Sequence, residues 1–284
     1  MIEQLLGSVP VDRFLRDHYL RLPFALADGC RGLTTLGDRT ALARLLAQPE
    51  VDGIAGRGGQ RWEAERSPRP DEVDALLAEG YTIGVRRAHR NDPALAELAA
   101  AFQQDFAADV DVHLYCTPAN APGFGWHYDA EEVFILQTQG SKEWRLRKNT
   151  VNPWPLMETL PADMRYEREL MPVMTCRLQA GDWLYIPAGY WHCTQAGEES
   201  LSLSVGLRTA VALDVFDALR RELLESMLWR QRLPCLGAAS PLPRDELIRE
   251  LEARFGELGA ELQARLTAPG AAERFLEGRG LADR

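Results

Sequence analysis

A mainly β fold, a sandwich or barrel with flanking helices, is the class this sequence predicts, and three observations predict it. The first hundred residues place apolar side chains mostly at helical spacing, with loops between them. From about Val110 the apolar period changes to two, and short alternating runs are separated by Gly/Pro turns. After Arg208 the helical period returns.

The elements follow in order. Residues 11–19 carry apolar side chains at helical spacing, and residues 40–46 read as a short helix capped by Thr40 or Asp38. Residues 53–59 hold four glycines without periodicity and read as a loop. Helices are expected over 71–77 and 93–106, the second with Pro93 in its first turn. Strands are expected over 111–116, 133–137, 142–147, 176–178, 183–186 and 201–207. Turns at 118–125, 139–140, 180–182, 187–189 and 197 divide them. Helices close the chain over about 212–229 and 245–266, joined by a loop with three prolines. The boundaries divide the chain into an N-terminal helical and loop region (1–105), a β core (106–210) and a C-terminal helical region (211–284).

Composition narrows the function. The 284 residues are 46% hydrophobic and 26% charged, ordinary values for a globular chain. No apolar run is long enough to span a membrane, and no basic n-region with an apolar core opens the chain, so a cytoplasmic location is expected. Five scattered cysteines without a C-x-x-C pair read as reduced, mostly buried thiols. With a net charge of −10 and no basic stripe, direct nucleic-acid binding is not expected.

The chemistry concentrates at His127-Tyr128-Asp129 and at His192, 65 positions further on. Two imidazoles and a carboxylate suit Fe(II), held on one triangular face with the opposite positions open. Strand parity supports a meeting. If 133–137 and 142–147 form a hairpin around Gln139-Gly140, Gln137 pairs with Lys142, Ile135 with Trp144 and Val133 with Leu146. If the first strand runs on without a bulge, His127 and Asp129 share that face with Lys142.

Lys142 stands out because 32 basic residues include only two lysines, the other being Lys148. A compact ammonium on an apolar face calls for a small anion. The bland alternative is an exposed residue beside a turn. His192 follows a turn, an apolar strand and a second sharp turn, which would return it to the interior. A packed core histidine is the competing reading. Ser202 and Ser204 occupy the polar face of the 201–207 strand, and Tyr115 offers a phenol to the same pocket. His18, His89 and His113 read as non-ligands, and Cys193 as packing.

Leu114-Tyr115-Cys116-Thr117-Pro118, Gly123-Phe124-Gly125-Trp126-His127-Tyr128-Asp129, Val133-Phe134-Ile135-Leu136-Gln137 and Gly140-Ser141-Lys142-Glu143-Trp144-Arg145-Leu146 together resemble the JmjC-domain ribosomal oxygenases. Gly181-Asp182 through Pro187 to His192, and Ser204 to Arg208, extend the resemblance. It implies a cupin-type double-stranded β-helix, a kind of jelly roll, with a C-terminal helical segment. It also implies Fe(II) on His127, Asp129 and His192, with 2-oxoglutarate and O2 as co-substrates. Lys142 would take the distal carboxylate of 2-oxoglutarate, and Tyr115, Ser202 and Ser204 would line its pocket.

The implied activity is hydroxylation of a protein or peptide side chain, a ribosomal protein being the family's substrate, with release of succinate and CO2. The roughly 75 residues after Arg208 leave room for a dimerisation-like helical segment, and so for a homodimer, but not also for the family's winged helix. That shortening keeps alternatives open: a small molecule, a natural-product precursor peptide, N-demethylation, a metal-dependent cupin of another reaction class, or a cupin serving only as an interaction module.

Overall fold

The computed structural model describes residues 1–284 except 65, 162, 163, 165–168 and 282–284. The chain divides into two compact units, Met1–Thr209 and Ala210–Arg284. Among the described residues, the first unit holds eleven strands: β1 (Phe24–Leu26), β2 (Asp52–Arg57), β3 (Gln60–Arg61), β4 (Thr82–Arg86), β5 (Asp109–Thr117), β6 (Glu132–Gln139), β7 (Ser141–Arg147), β8 (Met174–Gln179), β9 (Trp183–Ile186), β10 (Trp191–Ala196) and β11 (Ser200–Arg208). An eight-stranded sheet runs β1-β9-β6-β11-β5-β4-β2-β3, and a three-stranded sheet runs β10-β7-β8. All their pairings are antiparallel. The sheets face each other as a jelly roll of the cupin kind, as the sequence predicts.

Side-chain alternation produces two cores. On the inner face, Val133, Ile135 and Leu184 of the large sheet meet Trp144, Leu146 and Leu178 of the small one. On the outer face, Phe134, Leu203, Leu114 and Ile83 pack with the N-terminal helices α1 (Ile2–Leu6), α2 (Val11–Asp17), α3 (Arg39–Leu46), α4 (Val73–Ala78) and α5 (Pro93–Phe106). Phe14 of α2 meets Phe134, Trp183 and Tyr185 with ring centroids 5.4–6.2 Å apart. Each such fully buried side chain contributes about 1.5–3 kcal/mol of transfer free energy. Asp38 rather than Thr40 caps α3, accepting the Ala41 N–H at 2.7 Å.

The structure corrects several expectations. The N-terminal region is not only helix and loop, because β1–β4 belong to the eight-stranded sheet. The glycine-rich segment 53–59 is largely strand β2. Its glycines make room rather than looseness: a Cβ on Gly56 would lie 3.0 Å from the Phe124 ring, and one on Gly53 3.0 Å from Ser67. Gly84 of β4 does the same for Tyr115. There a Cβ would lie 2.7 Å from the phenol ring. Gly84→Ala is expected to cost about 1–3 kcal/mol, the usual penalty of overpacking, and to lower the thermal midpoint. An unchanged midpoint would show that the ring yields freely.

The third correction concerns the hairpin. β6 pairs with β9 and β11, whereas β7 pairs with β10 and β8. Gly140 alone separates them, and it turns the chain from one sheet into the other with φ +63°. A Cβ there would lie 2.1 Å from the Glu199 carbonyl oxygen, so only glycine makes this turn. The thiols are also less buried than expected. All five are free, Cys30 and Cys116 being buried, Cys176 and Cys193 half-buried and Cys235 exposed.

The second unit holds α6 (Ala212–Leu223), α7 (Arg244–Leu266) and α8 (Ala271–Glu277). The helix predicted over 212–229 ends earlier, at Leu223. Phe216, Met227 and Phe255 of this unit are exposed. Among the described residues, no helix is long and apolar enough to cross a membrane.

Candidate metal centre and its pocket

His127 lies on the segment before β6, not on β6 itself, which starts at Glu132. It pairs instead with His192 of β10 in an antiparallel bridge, each backbone N–H donating to the other's carbonyl at 3.0 and 2.8 Å. This mutual pair sets the two rings side by side, with centroids 4.2 Å apart. Asp129 follows two residues on, its carbonyl accepting the Gly189 N–H at 2.8 Å. Its Oδ2 lies 3.5 Å from His192 Nε2. One ligand atom from each of His127, Asp129 and His192 lies within 4.8 Å of the others.

The donor chemistry fits a metal. His127 Nδ1 lies 3.0 Å from the Gly125 carbonyl oxygen, and His192 Nδ1 lies 3.0 Å from that of Tyr190. A carbonyl only accepts, so each Nδ1 carries the proton and each Nε2 keeps its lone pair for an ion. Burial, then the neighbouring His127, pushes the His192 imidazole below its usual range, so it stays neutral as a ligand must. Two nitrogens and a carboxylate on one side leave the other positions open.

The metal-facing cavity is lined by residues of both sheets. The large sheet brings Tyr115, Thr117, Ser202 and Ser204, and the small sheet brings Lys142, Trp144 and Thr194. Ser202 stands opposite Tyr115 in the β11–β5 ladder, and Ser204 opposite His113. Lys142 is only 4% exposed, and its Nζ donates across the interior to Thr117 Oγ1 at 3.1 Å. Among the described residues no carboxylate pairs with it. Burial lowers its pKa to about 8, with Cys116 acting the other way. A buried ammonium with one neutral hydroxyl partner suits an anionic ligand. Trp144 Nε1 is likewise buried with no hydrogen-bond partner among the described residues, an N–H suited to a polar ligand. Burial, then Asp129, raises the Tyr115 phenol, which stays protonated.

Parity thus places Lys142 on the inner face as expected, but from the opposite sheet. Thr117, Thr82, Phe124 and Thr194 also line the cavity and were not anticipated. Thr117 could have been found, since it shares the strand parity of Tyr115. Phe124 could not, since its place depends on the distant Gly56. His89 and His113 stand apart from the metal cluster, each Nδ1 accepting a backbone N–H, from Val112 at 3.2 Å and Arg87 at 3.3 Å. His18 packs on Phe24 in the outer core.

A cupin jelly roll with a two-histidine, one-carboxylate centre and a buried lysine in the same cavity defines the class. Residues 85–215 match the JmjC domain family. In fold the chain is similar to a ribosomal oxygenase. It overlays the X-ray structure of Escherichia coli YcfD with TM-score 0.61 and 23% identity, covering 95% of this chain and 71% of that one. YcfD, a ribosomal oxygenase, in complex with cobalt and 2-oxoglutarate gives TM-score 0.60 at 21% identity, covering 95% and 70%. Among curated proteins, the bifunctional lysine-specific demethylase and histidyl-hydroxylase NO66 of Dictyostelium discoideum is 33% identical over 180 residues, 62% of this chain and 34% of that protein. The NO66 of Culex quinquefasciatus is 27% identical over 219 residues, 70% and 33% respectively. The chain spans about a third of the length of these curated relatives.

Proposed function

We propose that this protein is an Fe(II)- and 2-oxoglutarate-dependent oxygenase that hydroxylates a side chain of a protein or peptide. The observation that carries the reading is Lys142, a buried cation with no carboxylate partner among the described residues, in the cavity of the three candidate metal ligands. A metal-dependent cupin of another reaction class would need the triad but gives this lysine no task. His127, Asp129 and His192 would hold the iron. Bound there with 2-oxoglutarate and O2, iron supplies the oxidation that inserts one oxygen atom into a C–H bond, the other ending in succinate as CO2 is released.

The chain's own residues do the rest. Lys142, steadied by Thr117, holds the far carboxylate of the co-substrate. Tyr115, Ser202 and Ser204 offer hydroxyls along the same wall. Val133 and Ile135 beside them in the large sheet, and Trp144 of the small one, exclude water. The similarity to YcfD and NO66 supports a protein substrate, a ribosomal protein being the first to test. Free cysteines fit a cytoplasmic setting, and the net charge of −10 disfavours direct contact with nucleic acid. Exposed Phe216, Met227 and Phe255 support a homodimer formed through residues 211–284.

Two measurements test the reading. Purified protein with Fe(II) and 2-oxoglutarate is expected to form succinate slowly without a prime substrate. Absence of both turnover and 2-oxoglutarate binding would sink the oxygenase assignment. Mass spectrometry of proteins from cells with and without the enzyme should then show one substrate gaining a single oxygen. A gain found only on a small molecule would transfer the activity to that class.

A further inference from the structure

Glu132 is a buried acid on the outer face of the large sheet, where its strand neighbours Phe134 and Leu136 belong to the apolar core. A carboxyl group is costly there unless its oxygens are bonded. Both are. Oε2 accepts the Tyr185 hydroxyl proton, and Oε1 accepts the Ala188 N–H at 3.3 Å. The second bond matters because of what the next two residues do. The Gly189 N–H holds the Asp129 carbonyl at 2.8 Å, and the Tyr190 carbonyl holds His192 Nδ1 at 3.0 Å. Asp129 and Glu132 therefore grip adjacent residues of one turn, closing a small ring between the first metal-ligand segment and the approach to the second.

The turn is braced from outside as well. Tyr185 Oη accepts the Leu20 N–H at 2.8 Å, and the Tyr190 hydroxyl donates to the Arg21 carbonyl at 3.1 Å. Leu20 holds a left-handed backbone, φ +61°, rare for a residue with a branched side chain. Gly189 at the turn has φ +80°, and a Cβ there would lie 2.8 Å from the Pro153 carbonyl oxygen. Neither Glu132 nor Tyr185 lines the metal cavity.

We propose that Glu132, with Tyr185, is a positioning residue for the metal centre: it clamps the 188–190 turn and so sets Asp129 and His192 at the mutual geometry an ion requires. The N-terminal segment at Leu20 and Arg21 thereby becomes part of the support of the centre. The inference rests on the metal reading of the triad. Groups that orient metal ligands from behind typically change metal affinity by about 10–100-fold when removed.

The test uses the full chain and Co(II) as the probe, read by titration and by its visible absorption bands. Glu132→Leu removes both acceptors, Tyr185→Phe keeps the ring and removes the hydroxyl, and Glu132→Gln keeps a carbonyl acceptor for Ala188. Leu95→Ala, in the fully buried core of α5, serves as a destabilised control. Glu132→Leu and Tyr185→Phe are expected to weaken Co(II) binding about tenfold and to alter the band pattern. Glu132→Gln should stay within about threefold of the parent, by keeping one acceptor. Leu95→Ala should melt earlier yet bind Co(II) with the parent affinity and spectrum. Where Glu132→Leu fails to fold, Tyr185→Phe decides. Parent-like binding and bands in the foldable clamp variants, or an equal loss in Leu95→Ala, would overturn the clamp alone. A parent protein that binds no Co(II) would overturn the metal reading and the clamp with it.

Discussion

Lys142→Ala is expected to raise the 2-oxoglutarate concentration needed for half-maximal turnover by about 100-fold, with metal affinity unchanged. Removing one partner of a desolvated charge pair costs about 2–5 kcal/mol, and each 1.4 kcal/mol is tenfold. The separation from metal binding follows from chemistry, since a protonated amine has no lone pair to give an ion and Lys142 Nζ is engaged by Thr117. A pH signature accompanies it. Burial lowers the Lys142 pKa in the free protein to about 8. A carboxylate binds the protonated amine, so affinity should be flat below that pH. Above it, affinity should fall by up to about tenfold per unit as the free protein must first take up a proton. Lys142→Arg keeps its charge throughout and should lose this decline while retaining part of the affinity. Titration of 2-oxoglutarate into the Co(II)-loaded protein measures both effects. If Lys142→Ala binds 2-oxoglutarate as the parent does, the assigned role is wrong.

Asp129→Ala should be the more severe change at the metal. Loss of groups behind the ligands costs about 10–100-fold in affinity, and loss of a ligand itself should exceed that range. Its effect on the fold should be small. The carboxylate is 40% exposed, and the clamp to Gly189 runs through its backbone carbonyl, which alanine keeps. Succinate formation should fall to background while the melting temperature of the metal-free protein moves by less than about 4–8 °C, the shift expected for about 1 kcal/mol in a small domain and smaller still in a larger one. Retained turnover would remove Asp129 from the ligand set. A collapse in melting temperature would instead make it a structural residue.

Much of the fold was legible from alternation and turn chemistry. The six expected strands occur as β5, β6, β7, β8, β9 and β11, with shifted ends for all but β9. What failed was partnership. Gln139-Gly140 looks like a hairpin turn by composition, yet Gly140 carries the chain between two sheets. Local sequence states that a turn occurs, whereas its destination depends on a backbone oxygen of Glu199 that approaches too closely for any side chain. Strand β2 was hidden for a related reason. Its glycines lower local strand preference, and the Phe124 ring that makes Gly56 useful lies 68 positions away in the chain.

The candidate metal residues were legible because ligand chemistry restricts residue types so tightly. Only a few side chains bind such ions, and the motifs around His127, Lys142 and His192 are local. Thr117 carries no such signature, and its role appears only where Lys142 reaches it from the other sheet. Glu132 was the least legible, since strand parity points it away from the metal cavity.

Residue chemistry and two-residue periodicity, both local properties, were therefore enough to point to the strands, the candidate ligand set and the scarce lysine. The tertiary structure alone decided which strands pair, which sheet the lysine reaches from, and that a buried acid behind the sheet bonds the turn between Asp129 and His192. Those depend on contacts between residues far apart in the chain. Such contacts form only when distant segments are packed together, and no local period records which segment will be the partner.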